Sequence, residues 1–247
     1  MTPLLIALCF IIGILIGATG VGGVLLIPVL SYCSHLNIHE SMGTALFSFL
    51  FTGIIATAIY QRHGSIDWRI TLPVCLGSSL TSYLGAFFNA FANANLLYAI
   101  LSAIIILSSL YTMRPTPAVS LATALDKKRQ GYLLLLVGCG VGFLSGLTGI
   151  GGGLVSIPLM LTLGFPTFAT IGTGQVLQGI VAIFGSISNI RNDFVDFSLV
   201  WWVTLVEVLG VFVGVKIAHW LPLALLKKSV SFFCLILGLY MFIKIFL

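Results

Sequence analysis

Two short stretches hold the residues whose types and spacing could bind something. Gly17-Ala-Thr-Gly-Val-Gly-Gly23 is followed by Pro28, and Gly146-Leu-Thr-Gly-Ile-Gly-Gly152 is followed by Pro158. Each interrupts an apolar run. At membrane depth, backbone with unpaired N–H and C=O groups is tolerated only inside protein or beside a polar cavity. Helices are expected to restart at Val24 and Leu154, exposing free N–H groups and the positive end of the helix dipole to an anion. The candidate anion ligands are therefore Thr19, Gly20, Gly22 and Gly23 in the first stretch, and Thr148, Gly149, Gly151 and Gly152 in the second. Close packing of small residues would explain one copy equally well. Two copies, each with a threonine and a following proline, favour a site.

A second repeated element supplies hydroxyls, in Ser41-Met-Gly-Thr44 and Thr170-Ile-Gly-Thr173, with Gln175 and Gln178 following the latter. Hydroxyls and amides near a helix start can complete a pocket for carboxylate or sulfonate oxygens, which makes Thr44, Thr173, Gln175 and Gln178 candidates too. They can equally cap helices or bond between them. Glu207 falls near the middle of an apolar run, where a carboxylate suggests a proton carrier or ion-coupling group. Arg62 with Asp67, and Arg191 with Asp196, close corresponding segments and read as interfacial anchors.

The remaining reactive side chains form no constellation. Cys9, Cys33, Cys75, Cys139 and Cys234 lack CxxC spacing, and His35, His39, His63 and His219 lack ligand spacing, so neither a metal, a cofactor nor a catalytic residue is expected. The scattered cations form no basic stripe for nucleic acid.

The elements that must carry these residues follow from composition. Of 247 residues, 59% are hydrophobic and 7% charged, too few polar groups to clothe a water-soluble surface. An all-α polytopic membrane protein is expected, its first segment retained because no basic region or cleavage pattern marks a signal peptide. Apolar segments fall at 4–32, 41–60, 70–91, 96–113, 132–163, 168–190, 198–221 and 223–247. A span needs about 20 apolar residues, so the two broken segments are long enough to cross with a kink or to dip and return.

The pattern is duplicated. A shift of 129 residues places Gly17, Thr19, Gly20, Gly22 and Gly23 on Gly146, Thr148, Gly149, Gly151 and Gly152, Gly43-Thr44 on Gly172-Thr173, Arg62 on Arg191 and Asp67 on Asp196. Residues 1–113 and 132–247 are thus read as two four-segment repeats joined by a polar loop, 114–131. The cation distribution fits parallel and inverted copies alike. Paired interrupted segments favour inverted repeats, each with a broken or re-entrant first helix.

The glycine breaks, the Gly-Thr pairs and the duplicated plan resemble the TauE/SafE family of membrane transporters, also called the sulfite exporter family. That resemblance covers nearly the whole chain. It implies transport of small anions such as sulfite, sulfoacetate or related sulfonates across the bacterial cytoplasmic membrane. Gln175 against Leu46, and Glu207 against Ser78, depart from repeat symmetry and would select and couple the substrate. The expected activity is secondary transport by alternating access, with protons as a candidate coupling ion. A passive anion channel is the alternative, and an intramembrane enzyme using Glu207 or Cys139 is disfavoured for want of a second acid or base. Expected partners are the anion and the bilayer, with a second copy of the chain as a further candidate.

Overall fold

The computed structural model describes residues 3–112 and 126–220, with 232, 235, 236, 238–240, 242 and 243 beyond them. Most of the loop at 114–131 and of the last expected span lies outside the described residues. The first half comprises α1 (Pro3–Thr19), a 3-10 turn (Gly22–Leu25), α2 (Leu26–Cys33), α3 (Ile38–Arg62), α4 (Trp68–Asn89) and α5 (Ala94–Thr112). The second comprises α6 (Lys127–Thr148), α7 (Gly153–Thr162), α8 (Thr167–Arg191) and α9 (Phe197–Trp220). There is no strand among the described residues. Of these helices, α3, α4, α6 and α8, with Phe197–Ile217 of α9, are long and apolar enough to cross a membrane.

Local chemistry sets the boundaries. Asn37 and Glu40 form a capping box at the start of α3, each side chain satisfying the other residue's N–H. Asp67 accepts from the Arg69 N–H at the start of α4, and Asp196 accepts from the Ser198 and Leu199 N–H groups at the start of α9. The helices α1 and α6 end alike, at glycines in the left-handed region, Gly20 at φ +73° and Gly149 at φ +71°.

Glycines also decide which helices touch. Gly13 lies on the backbone of Glu207 and Gly17 on that of Val211, so α1 and α9 run in the same direction. Gly138 lies on Val74, Gly142 on Ser78 and Gly146 on Ser82, so α6 and α4 also run together. A Cβ at any of these glycines would enter the facing backbone, which is how small residues bring membrane helices into close contact. At the centre Gly53 meets Gly179, whereas Gly43 meets Phe194 and Gly172 meets Ser65, so α3 and α8 run antiparallel. Phe47 and Phe51 of α3 pack on Phe197 and Trp201 of α9 in parallel order, and Thr71 and Tyr83 of α4 bond Thr173 and Arg191 of α8 likewise.

Direction follows from these pairings. Helices α1, α3 and α9 point toward one end of the bundle, termed the far end, and α4, α6 and α8 point toward the near end. Because α1 and α3 run the same way, the intervening segment with α2 must return. The same holds for α7 between α6 and α8: Gly152 sits against Leu177 and Val181, while Gly153 and Ile157 sit against Gly174. Each glycine break is thus the tip of a hairpin that re-emerges at the end it entered from. The first half enters at the near end and the second at the far end, and each first helix packs on the other half's third segment in the pattern α1 with α9 and α6 with α4.

Candidate functional site

The two hairpin tips meet at the α3–α8 crossing. Gly153 lies against the carbonyl oxygen of Gly20. Gly20 is flanked by Ile157 and the Gln175 amide, Gly151 by Phe49 and Gln178, and Gly23 by the ring of Phe49. Phe49 and Gln178 occupy equivalent positions of α3 and α8 under the 129-residue shift, so one ring and one amide face each other across the junction. Gly151 and Gly152 have φ of +73° and +82°, a region closed to most side chains.

The restarts differ from the expected ones. In the second half the left-handed glycines turn the chain sharply and α7 begins at Gly153, one residue before Leu154. Gly22 and Gly23 do not take that conformation, so the first half tightens into the 3-10 turn and α2 begins only at Leu26, after Val24. The N–H groups at a helix start lack acceptors four residues back. In α7 the first such bond is made by Ser156 to Gly152, so Leu154 and Val155 precede it, while Gly153 N–H turns to Gly151.

The side chains divide into those at the junction and those spent elsewhere. Thr19 Oγ1 donates to the Leu15 carbonyl at 2.8 Å and accepts from Val21 N–H at 3.2 Å. Thr148 Oγ1 donates to the equivalent carbonyl, Leu144, at 2.6 Å. Their single hydroxyl protons close the last turns of α1 and α6, so in this conformation neither donates to an anion. Gln175 Nε2 donates to the Ile16 carbonyl at 2.8 Å and Gln178 Nε2 to Thr52 Oγ1 at 3.0 Å, leaving each amide a second N–H. Gly22 packs back on Leu15 and Ile16, and Gly149 on Met42 at the start of α3. Thr44 and Thr173 lie away from the tips: Thr44 Oγ1 accepts from Asp196 N–H at 3.0 Å, and Thr173 bonds Thr71 at 2.8 Å.

Several contributors were not singled out in the sequence. Tyr60 OH donates to the Gly17 carbonyl at 2.9 Å and Asn89 Nδ2 to the Leu147 carbonyl at 2.6 Å, so side chains of α3 and α4 satisfy carbonyls that the breaks leave open. Phe49, Thr52 and Gly153 complete the junction. Gly153 is the one residue by which the second glycine cluster stands further from its proline than the first, six positions against five; Tyr60 and Asn89 carry no local signal.

Glu207 is fully buried, and neither carboxyl oxygen has a hydrogen-bond partner among the described residues. It sits at the α1–α9 seam opposite Gly13, with Cys9 of α1 and Ser48 of α3 as neighbours. The Ser48 hydroxyl donates to the Ala45 carbonyl at 2.9 Å. From Gly13 to Gly20 is about 10 Å along a helix axis, so Glu207 is separate from the tip junction. Arg62 and Asp67 make no ion pair among the described residues, and Arg191 bonds Tyr83 OH at 3.1 Å. No group of His, Cys, Asp or Glu among the described residues could hold a metal.

The model of the family described as sulfite exporter TauE/SafE matches residues 1–112 and 133–247. A probable membrane transporter protein of Bacillus subtilis (strain 168), YdhB, is 31% identical over 244 residues, covering 96% of this chain and 98% of its own. A probable membrane transporter protein of Methanocaldococcus jannaschii is 28% identical, covering 77% of this chain and 73% of its own. YunE of Bacillus subtilis, also a probable membrane transporter protein, is 26% identical, covering 84% and 85%. No solved structure matches significantly.

Proposed function

Because the chain belongs to the sulfite exporter TauE/SafE family, we propose that this multi-pass membrane protein is a secondary transporter of small anions, sulfur-containing ones such as sulfite or sulfonates. The observation that carries the reading is the meeting of two hairpin tips, Gly20 with Gly153, beside Gln175 and Gln178 at a buried helix crossing. Helix-start N–H groups and the free amide protons of the two glutamines supply donors without a full cation, which suits an anion that must bind and leave. Oppositely directed halves around one site suit alternating access, since exchanging the conformations of the halves moves the opening from one end to the other.

Glu207 carries the coupling proton in this reading. A carboxylate without a partner in a buried seam is costly when charged and cheap when protonated. Ser48 is placed to pass the proton toward α3 by rotating its hydroxyl away from Ala45. Among the described residues, Arg62, Arg69, Lys127, Lys128 and Arg129 lie at the far end and Arg191 at the near end, which makes the far end cytoplasmic.

The test is uptake into proteoliposomes of sulfite, sulfoacetate and non-sulfur carboxylates under an imposed pH gradient. Saturable flux of a sulfur oxyanion that follows the gradient is expected. Flux no greater than in empty vesicles for every anion would sink the proposal.

A further inference from the structure

The Gly-Thr pairs left out of the tip junction form a symmetric pair of contacts at the two ends of the molecule. The corner between α3 and α4 (residues 63–67) tucks against the start of α8, and the corner between α8 and α9 (192–196) tucks against the start of α3. The two corners share one backbone shape despite unlike residues. Gly64 and Asp193 are both left-handed, at φ +67° and +56°. Ser65 N–H bonds the Tyr60 carbonyl at 3.1 Å, and Phe194 N–H bonds the equivalent Asn189 carbonyl at 2.9 Å. Each corner then buries one apolar residue, Ile66 or Val195.

Each corner is held twice by the other half. The Ser65 carbonyl fits where Gly172 has no Cβ, and the Phe194 carbonyl fits where Gly43 has none. Thr173 bonds the Thr71 hydroxyl, which in turn donates to the Asp67 carbonyl at 2.9 Å, while Thr44 accepts from Asp196 N–H. Because α3 and α8 are antiparallel, one latch closes the far end and its counterpart the near end.

The latches are unequal. At the near end Phe194 packs on the His39 ring at 5.1 Å, and His39 Nδ1–H donates to Asn89 Oδ1 at 2.9 Å. At the far end the positions equivalent to Phe194 and His39 are Ser65 and Phe168. A hollow of about 410 Å³, largely open to the outside, is lined there by Ser65, Trp68, Arg69 and Phe168 among others, and one of about 540 Å³ adjoins the near corner at Ser198, Leu199 and Trp202.

We infer that these two corners are the gates of the transporter, Thr173 with Gly172 latching the far end and Thr44 with Gly43 the near end, and that the far gate opens more readily. In the structure both latches are made. An anion bound at the tips is reached when one corner swings away from the opposing helix start, breaking one hydroxyl bond and lifting one apolar residue. The pair works as alternating access requires only if both do not open together, which the shared α3–α8 crossing at Gly53 and Gly179 enforces by tying the two helix starts to one rigid centre. This inference rests on the transport reading for its purpose, though its readout needs no flux.

The experiment places a single cysteine at position 178 in an otherwise cysteine-free chain and measures its labelling rate by a membrane-impermeant maleimide added to either face. The parent is expected to label faster from the far, cytoplasmic face. Thr173→Val should raise labelling from that face alone by about five-fold, the effect of one lost hydrogen bond, and Thr44→Val should do so from the opposite face alone. Thr173→Ser and Thr44→Ser keep the hydroxyl and should label as the parent does, which separates the latch from a folding defect. Valine variants that raise the same face or neither, or serine variants that behave as the valines do, would overturn the gates. Faster labelling of the parent from the near face would overturn their ranking. Mirror-image labelling, together with no anion flux in vesicles holding the parent chain with Gln178 intact, would leave the gates standing and remove the transport reading.

Discussion

Replacing Gly151 by valine would push a side chain against Phe49, where even a Cβ would come within 2.8 Å, at a backbone φ of +73°. The expected result is loss of anion flux in vesicles with the protein still present in the membrane. Glu207→Gln keeps the shape and removes the titration. We expect uptake driven by a pH gradient to fall at least ten-fold while anion exchange at equal pH persists; unchanged gradient-driven uptake would count against the proton role. Outside the membrane spans, the Ser198 hydroxyl holds the Asp196 carboxyl below its ordinary value of 3.8. A lowered value means that the ionised cap stabilises the fold fully above about that pH and that the contribution is lost as pH falls through the lowered value, so Ser198→Ala should shift the acid limb of a melting profile to higher pH. The glycines were legible as residues because the cluster recurs, each copy with a threonine and a following proline, in otherwise apolar runs. The threonine hydroxyls are spent locally in this conformation, because a hydroxyl beside a helix end has a carbonyl four residues back within reach.

Among the elements, the seams α1–α9 and α4–α6 depend on glycines one turn apart: Gly13 and Gly17, and Gly138, Gly142 and Gly146. Their spacing is visible in the sequence as small-xxx-small, but the identity of the facing helix is not, because a small residue admits any backbone that approaches it. Gly142→Leu would force α6 away from Ser78 and Thr81. A loss of about 2 kcal/mol or more is expected for such overpacking, measured as a lower melting temperature in detergent, whereas Gly140→Leu, with nothing within 4 Å of its added Cβ, should melt as the parent does. By length alone the broken segments could cross with a kink or dip and return. Whether they crossed or returned hung on the directions of α3 and α8, which only contacts between the halves reveal.

For the whole molecule, the consequence of the parallel seams is that the halves enter from opposite ends. Cysteines introduced at His63 and at the equivalent Asn192 should react with impermeant reagents on opposite faces of the membrane; reaction on one face would contradict the arrangement. Charge counting alone left this open, because Arg62 and Arg191 are the same residue at equivalent positions and only the path of the chain between them assigns each to a side. The duplication is read from rare charged residues that recur in register at 129 residues. The sharing of helices between halves was not legible, since nothing local in α1 names α9 as its partner. That sharing has a consequence in time. At about 5–20 residues per second, α9 follows α1 out of the ribosome by roughly 10 to 40 s. Throughout that interval the bare glycine face of α1 has only lipid or earlier helices against it, so the first hairpin is made early but locked in place almost last.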